Sequence, residues 1–446
     1  MQFYREDHRQ VLAVLEENST RSDPYAVRRA CAELKRLVLH RNAIRHRMVE
    51  EGRLLPVLIE IVANHVGEEQ GEVVADCCRF LQRLISHKQP TELDIQSKLT
   101  EAGCLGLMTK GLKAQPNARR LYVETCRLVA LLCFDAVATP HAENQTDIAN
   151  AGIYELICGH LEHRSISEEE AAAGCEAVSA LVYEHDSNGA TAIHKYGILV
   201  KFSTLLGMFS ESTRVAQSVV QTLFQLLAME PCLSDGVVDS GMLQQVVDML
   251  DSSSFMQDYR GPESFMVHWH IVKFMEITIR QNDTAKEEFC RGGGPAAVVN
   301  ALVRRSQEPR HADTTDPWAL QYVSCMLLCR VVTVAGDAPN VFVVAAARAQ
   351  QLVQSSAHQL ALDILRNVGV ARVADDSEAS RASFWAAVAQ AVRVLELIAT
   401  LEANRVPLTR LGASRLVKLV YNNQEVASQP GLLLLCERAV ANIEGT

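Results

Sequence analysis

The sequence predicts an all-α chain built as a solenoid, a row of stacked helical repeats. Three observations predict it. A Gly-centred pair of short amphipathic segments recurs along the chain, each pair is followed by a longer apolar segment, and the longer segments carry the 3.6-residue period of buried helices. No segment alternates convincingly with period two, so no sheet is expected. At 446 residues the chain also exceeds what one core sustains, since compact cores stop growing near about 250–300 residues.

The Gly-centred pieces start at Ile44 (IRHRMVEEGRLLPVLIEIV), Ile95 (IQSKLTEAGCLGLMTKGL), Asn144 (NQTDIANAGIYELICGHL), Asn188 (NGATAIHKYGILVKFSTLL), Leu233 (LSDGVVDSGMLQQVVDML), Asp283 (DTAKEEFCRGGGPAAVVNAL) and Glu402 (EANRVPLTRLGASRLVKLV). Their shared glycines are Gly52, Gly103, Gly152, Gly197, Gly241, Gly293 and Gly412, spaced 51, 49, 45, 44, 52 and 119 residues apart. The last gap fits two repeats of about 60 residues, with a degenerate copy near Val341–Val353 that carries Ala where Gly is expected. Gly is wanted here because a sharp corner between two helices calls for αL geometry and close backbone approach.

The longer segments start at Tyr25, Glu72, Leu121, Ala171, Arg214, Met266, Trp318 and Trp385. Outside them, residues 3–17 have the pattern of an N-terminal capping helix, and PGLLLLCERAVANIEG from Pro430 that of a C-terminal one. A solenoid needs such caps because each terminal repeat otherwise leaves an apolar face open.

This pattern resembles the armadillo-repeat family, whose unit has a short helix, a Gly turn, a second helix and a longer third helix with an Ala-x-x-Leu-like core. The resemblance covers about residues 24–422. The Gly between first and second helices separates it from HEAT repeats. It implies a right-handed α-solenoid of armadillo-type three-helix repeats, about eight in number, with terminal capping helices. The expected organisation is a cap over 1–23, an array over 24–429 with its degenerate repeat at about 338–370, and a cap over 430–446. The spacing exceeds the family norm of about 40–47 residues, so expanded loops are expected after Ala138, Asp251, Arg304 and Val370. The Asp251 loop is the best loop candidate for partner contact, because Phe255, Met256 and Tyr259 place three large apolar groups in it.

Composition excludes several function classes. Acidic residues number 53 against 43 basic ones, a net charge of −10, which argues against non-specific nucleic-acid binding. Mean hydropathy is +0.03, no uncharged run approaches the ~18–20 residues of a membrane helix, and MQFYREDHRQ at the start is not a signal peptide. No membrane insertion is expected, and the 13 scattered cysteines are expected as reduced thiols in the cytoplasm.

Motifs of catalysis are missing as well. The sequence has no Gly-rich loop ending in Lys-Ser/Thr, no HExxH and no Gly-x-Ser-x-Gly. Arg291-Gly292-Gly293-Gly294-Pro295 falls on a repeat turn and lacks the Lys-Ser/Thr of a phosphate loop. His268 and His270 project from different helix faces. His160 and His163 can share a face, but lack further metal ligands. Cys31, Cys78, Cys126 and Cys175 hold the same register in successive long helices, each three residues before an apolar anchor, which is the place of a small packing residue. No cofactor, metal or catalytic residue is therefore expected.

In armadillo proteins the third helices line a groove, and the resemblance directs attention to their outward positions. The Trp-x-x-x-Asn ladder with which importin-α grips basic peptides is absent. Its positions hold Ala32, Arg79, Arg127, Glu176, Gln221, Val272, Met326 and Arg393, then Arg36, Arg83, Leu131, Ala180, Gln225, Glu276, Arg330 and Leu397. Arg36, Arg79, Arg83 and Arg127 cluster in the first three repeats, and guanidinium forks suit carboxylates. The expected partner is another protein with an acidic extended segment at that end of the groove, with Glu176 and Glu276 reversing the sign further along. The expected function is a non-catalytic interaction scaffold, with a cytoskeletal or ciliary assembly as the family-level setting. The alternatives are an Hsp70 exchange-factor-like chaperone cofactor and a regulatory subunit of an enzyme. The sequence leaves the oligomeric state open.

Overall fold

A computed structural model describes residues 7–19, 24–38, 48, 52–64, 70–85, 95–134, 139–252, 262–306, 317–334, 341–369 and 378–445. Backbone contacts divide the chain into two units, Met1–Leu205 and Leu206–Thr446. The described residues form helices, with one isolated bridge between Phe134 and Pro140.

The first unit contains α1 (Asp7–Ser19), α2 (Pro24–Val38), α3 (Leu54–Asn64), α4 (Gln70–Ile85), α5 (Ile95–Glu101), α6 (Cys104–Ala114), α7 (Arg119–Leu132), α8 (Ala142–Asn150), α9 (Ile153–His160), α10 (Glu168–Val182) and α11 (Asp186–Ala190), which continues as a π-helical turn (Thr191–Lys195). The division between units falls within α12 (Ile198–Met208). Helices stack on their own kind. The long ones run α2 on α4 on α7 on α10, the second ones α3 on α6 on α9, and the first ones α5 on α8 on α11. The second unit repeats this with α13 (Thr213–Met229), α14 (Leu233–Asp239), α15 (Met242–Asp251), α16 (Pro262–Ile279), α17 (Asp283–Arg291), α18 (Gly294–Ser306), α19 (Pro317–Val332), α20 (Val341–Gln354), α21 (Ala357–Arg366), α22 (Glu378–Ala399), α23 (Glu402–Arg410), α24 (Ala413–Tyr421) and α25 (Pro430–Glu444). Its long row is α13, α16, α19, α22 and α25, and its second row α15, α18, α21 and α24.

The long helices are central because they are enclosed on most sides. On α7, Leu121, Tyr122, Cys126, Leu128, Val129 and Leu132 are buried, and a fully buried side chain of this size contributes about 1.5–3 kcal/mol. What remains outward is a narrow stripe. On α4 it is Glu72, Asp76, Arg79 and Arg83, spaced as one helical face requires. α10 begins where it does because Ser167 and Glu170 form a capping box. α22 is the one described helix long and apolar enough to cross a membrane, but it packs against α19, α21 and α25, and 61% of its apolar window is buried.

All seven glycines that define the repeat have positive φ, from 56° at Gly197 to 97° at Gly103. A Cβ added at Gly52, Gly152, Gly197, Gly241, Gly293 or Gly412 would meet nothing within 4 Å. The expected need for close backbone approach is thus corrected: the dihedral alone demands Gly at these corners. The degenerate repeat is corrected too. Its turn is Ser356, between α20 and α21, at φ 62°. No alanine within Val341–Val353 makes the turn, since that stretch lies inside α20.

Of the expected caps, α1 packs on α2 and α3, and α25 on α22, α23 and α24. The polar stretch after Ala138 becomes α8 from Ala142 onward. Phe255, Met256 and Tyr259 lie outside the described residues.

Candidate protein-interaction face

Arg36, Arg79, Arg83 and Arg127 all project from the outward stripes of α2, α4 and α7, but their surroundings differ. Arg36 forks onto Glu33 of its own helix, with contacts of 2.6 to 3.1 Å. Arg127 is held by Glu169 of α10 at 2.7 Å and by Glu124 at 3.6 Å. Arg79 reaches Glu124 only at 3.9 Å. No described carboxylate lies within ion-pair distance of Arg83.

A fifth cation joins them. Lys35, in the last turn of α2, has its pKa lowered by burial and then by the nearby charges of Arg79 and Arg83, with Glu124 and Asp76 opposing. The cluster with charge to spare is therefore Lys35, Arg79 and Arg83, while Arg36 and Arg127 are largely neutralised. Lys35 stands beside Arg36 in the sequence. The apolar-anchor register singled out Arg36 and passed over its neighbour.

The acidic groups of the same face are already committed. Asp76 accepts from Arg28 of α2 at 2.8 Å, and Arg120 of α7 contacts both Asp76 and Glu72. This lattice ties three successive long helices together. Glu124 has 6% of its side chain exposed and also accepts from Gln82 at 2.9 Å. The sequence pattern held no signal for these bonds, because each spans one repeat.

The expected sign reversal is half corrected. Glu176 is exposed on α10. Glu276 is fully buried beneath Arg280, just past the end of α16, and Arg330 of α19, so that place presents guanidinium groups. Glu396 is buried likewise, against Arg393 and, at 3.0 Å, Arg438.

The cysteine register is packing. Cys31, Cys78, Cys126 and Cys175 are buried, and Cys31 Sγ lies 4.0 Å from Cys77 Sγ. Burial pushes the Cys78 thiol up to about 12, which suppresses the nucleophilic thiolate. His160 stacks on Tyr122 at 3.8 Å and on His163 at 4.7 Å, and its Nε2 bonds Glu170 at 3.0 Å. Among the described residues no group of three His, Cys, Asp or Glu side chains could hold a metal ion.

Three rows of like helices, turned by αL residues and carrying polar stripes on their long members, define a helical-repeat protein. The fold is more specific than that class: it is an armadillo-type α-solenoid. It resembles a human protein, armadillo repeat-containing protein 6, at 23% identity over 249 residues, 53% of this chain and 46% of that protein. The match thus spans about half the length of that relative. A solved chain from work on the phosphorylation switch that controls the interaction between cadherin and beta-catenin superposes with TM-score 0.66 at 14% identity, over 99% of this chain and 78% of its own. An engineered protein of known structure matches 66% of this chain and 97% of its own, with TM-score 0.46 and 15% identity. No family model matches the sequence.

Proposed function

We propose that the protein is a non-catalytic interaction scaffold that holds an acidic, extended segment of a partner protein across α2, α4 and α7. The observation that carries this is the excess of cations at Lys35, Arg79 and Arg83, whose neighbouring carboxylates are already engaged elsewhere. Exposed cations in mutual repulsion gain from an incoming carboxylate, and guanidinium forks hold it with fixed geometry. The armadillo fold supports the same use, since the cadherin and beta-catenin pair is an interaction between proteins. The proposed setting, a cytoskeletal or ciliary assembly in the cytoplasm, rests on the family resemblance.

The test is charge reversal. The Arg79→Glu, Arg83→Glu double variant should lose the principal partner from native-cell pull-downs while helicity and thermal midpoint stay within about 2 °C. Recovery of every partner at wild-type levels refutes the groove. Proximity labelling in the native cell tests the setting.

A further inference from the structure

A surface cavity of about 560 Å³ opens in the second unit, where α13 ends and α14 begins, against the C-terminal half of α16. It stands off the groove register, because Gln221, Gln225, Val272 and Glu276 do not line it. Phe224, Leu227 and Ile277 give it an apolar side, and Lys273 borders it. The Lys273 ammonium lies 5.7 Å from the centre of the Trp269 ring. No described carboxylate lies within ion-pair distance of it. Burial lowers its pKa, with Glu276 raising it and Arg280 lowering it further.

The other charges of the cavity have partners. Arg280 is tied to Glu276 at 2.8 Å. Asp283 accepts from Lys286 at 3.1 Å and Arg348 at 3.0 Å. Asp235 accepts from the Asn282 amide at 2.7 Å.

We infer that this cavity docks a second segment of a partner protein, one Asp or Glu side chain meeting Lys273 and an adjacent Leu-sized side chain resting on Phe224, Leu227 and Ile277. A half-buried ammonium has three donors and has lost part of its hydration, so a carboxylate restores what burial removed. A basic occupant repels the Lys273 ammonium, and a neutral one can accept its hydrogen bonds but leaves its charge uncompensated. Asp235 borders the same space and opposes a doubly charged phosphate more strongly than a singly charged carboxylate. The site rests on the scaffold reading only in taking a protein ligand; its residues belong to the other unit.

Cys232 lines the cavity and is exposed, Cys290 is half-buried, and the other eleven cysteines are buried, so alkylation of the native chain reads occupancy. The probes are an acetylated, amidated peptide of alternating Leu and Asp and its Leu/Asn counterpart, and the readout is the iodoacetamide labelling rate at Cys232 by mass spectrometry. The Leu/Asp peptide should halve the labelling rate at a concentration at least roughly tenfold below that needed of the Leu/Asn peptide, the discrimination of one charge-assisted hydrogen bond. Lys273→Met should abolish protection. It removes no hydrogen bond of the fold, and an unchanged thermal midpoint verifies that. Asp235→Asn should strengthen protection. The Arg79→Glu, Arg83→Glu variant should keep it, which separates this site from the groove. Equal protection by both peptides, protection surviving Lys273→Met, better protection by a phosphoserine peptide, or none up to the solubility limit overturns the proposal.

Discussion

The carboxylate of Glu276 has no exposed surface and lies 2.8 Å from the guanidinium of Arg280, four residues on and just past the end of α16. Arg330 of α19 approaches the same carboxylate at 3.4 Å. Glu124 and Glu396 are also buried under two arginines, one from their own helix and one from an adjacent long helix, Arg79 of the preceding α4 for Glu124 and Arg438 of the following α25 for Glu396. A buried anion thus anchors cations that stay half in water, and it does so between successive repeats.

The two partners are not equivalent, which makes their removal asymmetric. In the Arg280→Ala, Arg330→Ala double variant the buried carboxylate is left without a counter-charge, and stability should fall by about 3 kcal/mol. Glu276→Gln leaves two guanidinium groups that solvent still reaches, and should cost about 1 kcal/mol. Chemical denaturation of both variants measures the difference. Equal losses would mean that the arginines serve by packing their stems.

The corners of the repeats give a second prediction. Gly152 sits at φ 78° and Ser356 at φ 62° in equivalent turns. Gly152→Ala should destabilise by about 1–2 kcal/mol, because only the dihedral opposes it and a Cβ meets nothing within 4 Å. Ser356→Gly should be neutral or gain up to about 1 kcal/mol, since the αL strain it relieves outweighs added freedom of the unfolded chain. Thermal midpoints of the two variants should therefore move in opposite directions or, for Ser356→Gly, not at all.

These corners also show why the fold was legible in the sequence. A positive φ writes itself as Gly at one place per repeat, and the 3.6-residue period writes the burial of each long helix. The eighth corner was missed because Ser tolerates the same dihedral at some strain, and no spacing rule separates it from neighbouring Ser355. The interaction face was legible only in part. Register found Arg79 and Arg83, but charge depends on what stands one repeat away, about 40–50 residues along the chain. The pairing of Arg127 with Glu169, the burial of Glu276 and the contribution of Lys35 are all of that kind.

Acid stability tests another cross-element contact. Burial holds the His160 pKa below its ordinary 6.5, with His163 and Arg119 adding to the effect and the Glu170 hydrogen bond opposing it. Glu170 is held below 4.5 although burial raises it, because the Ser167 hydroxyl and amide and His160 all bond its carboxylate. Both groups bind protons more weakly in the folded state than in the unfolded one. Their stabilisation is therefore complete above about pH 6.5 and is lost on acidification, first as pH falls from 6.5 through the lowered His160 value, then again below 4.5 through that of Glu170. Thermal midpoints recorded from pH 8 to pH 4 should decline in two stages. His160→Gln keeps a donor toward Glu170 and removes the titration, so it should flatten the upper stage and leave the lower one. An unchanged upper stage in that variant would assign it to another histidine, and would show that the stack of Tyr122, His160 and His163 stays neutral without contributing to the acid response.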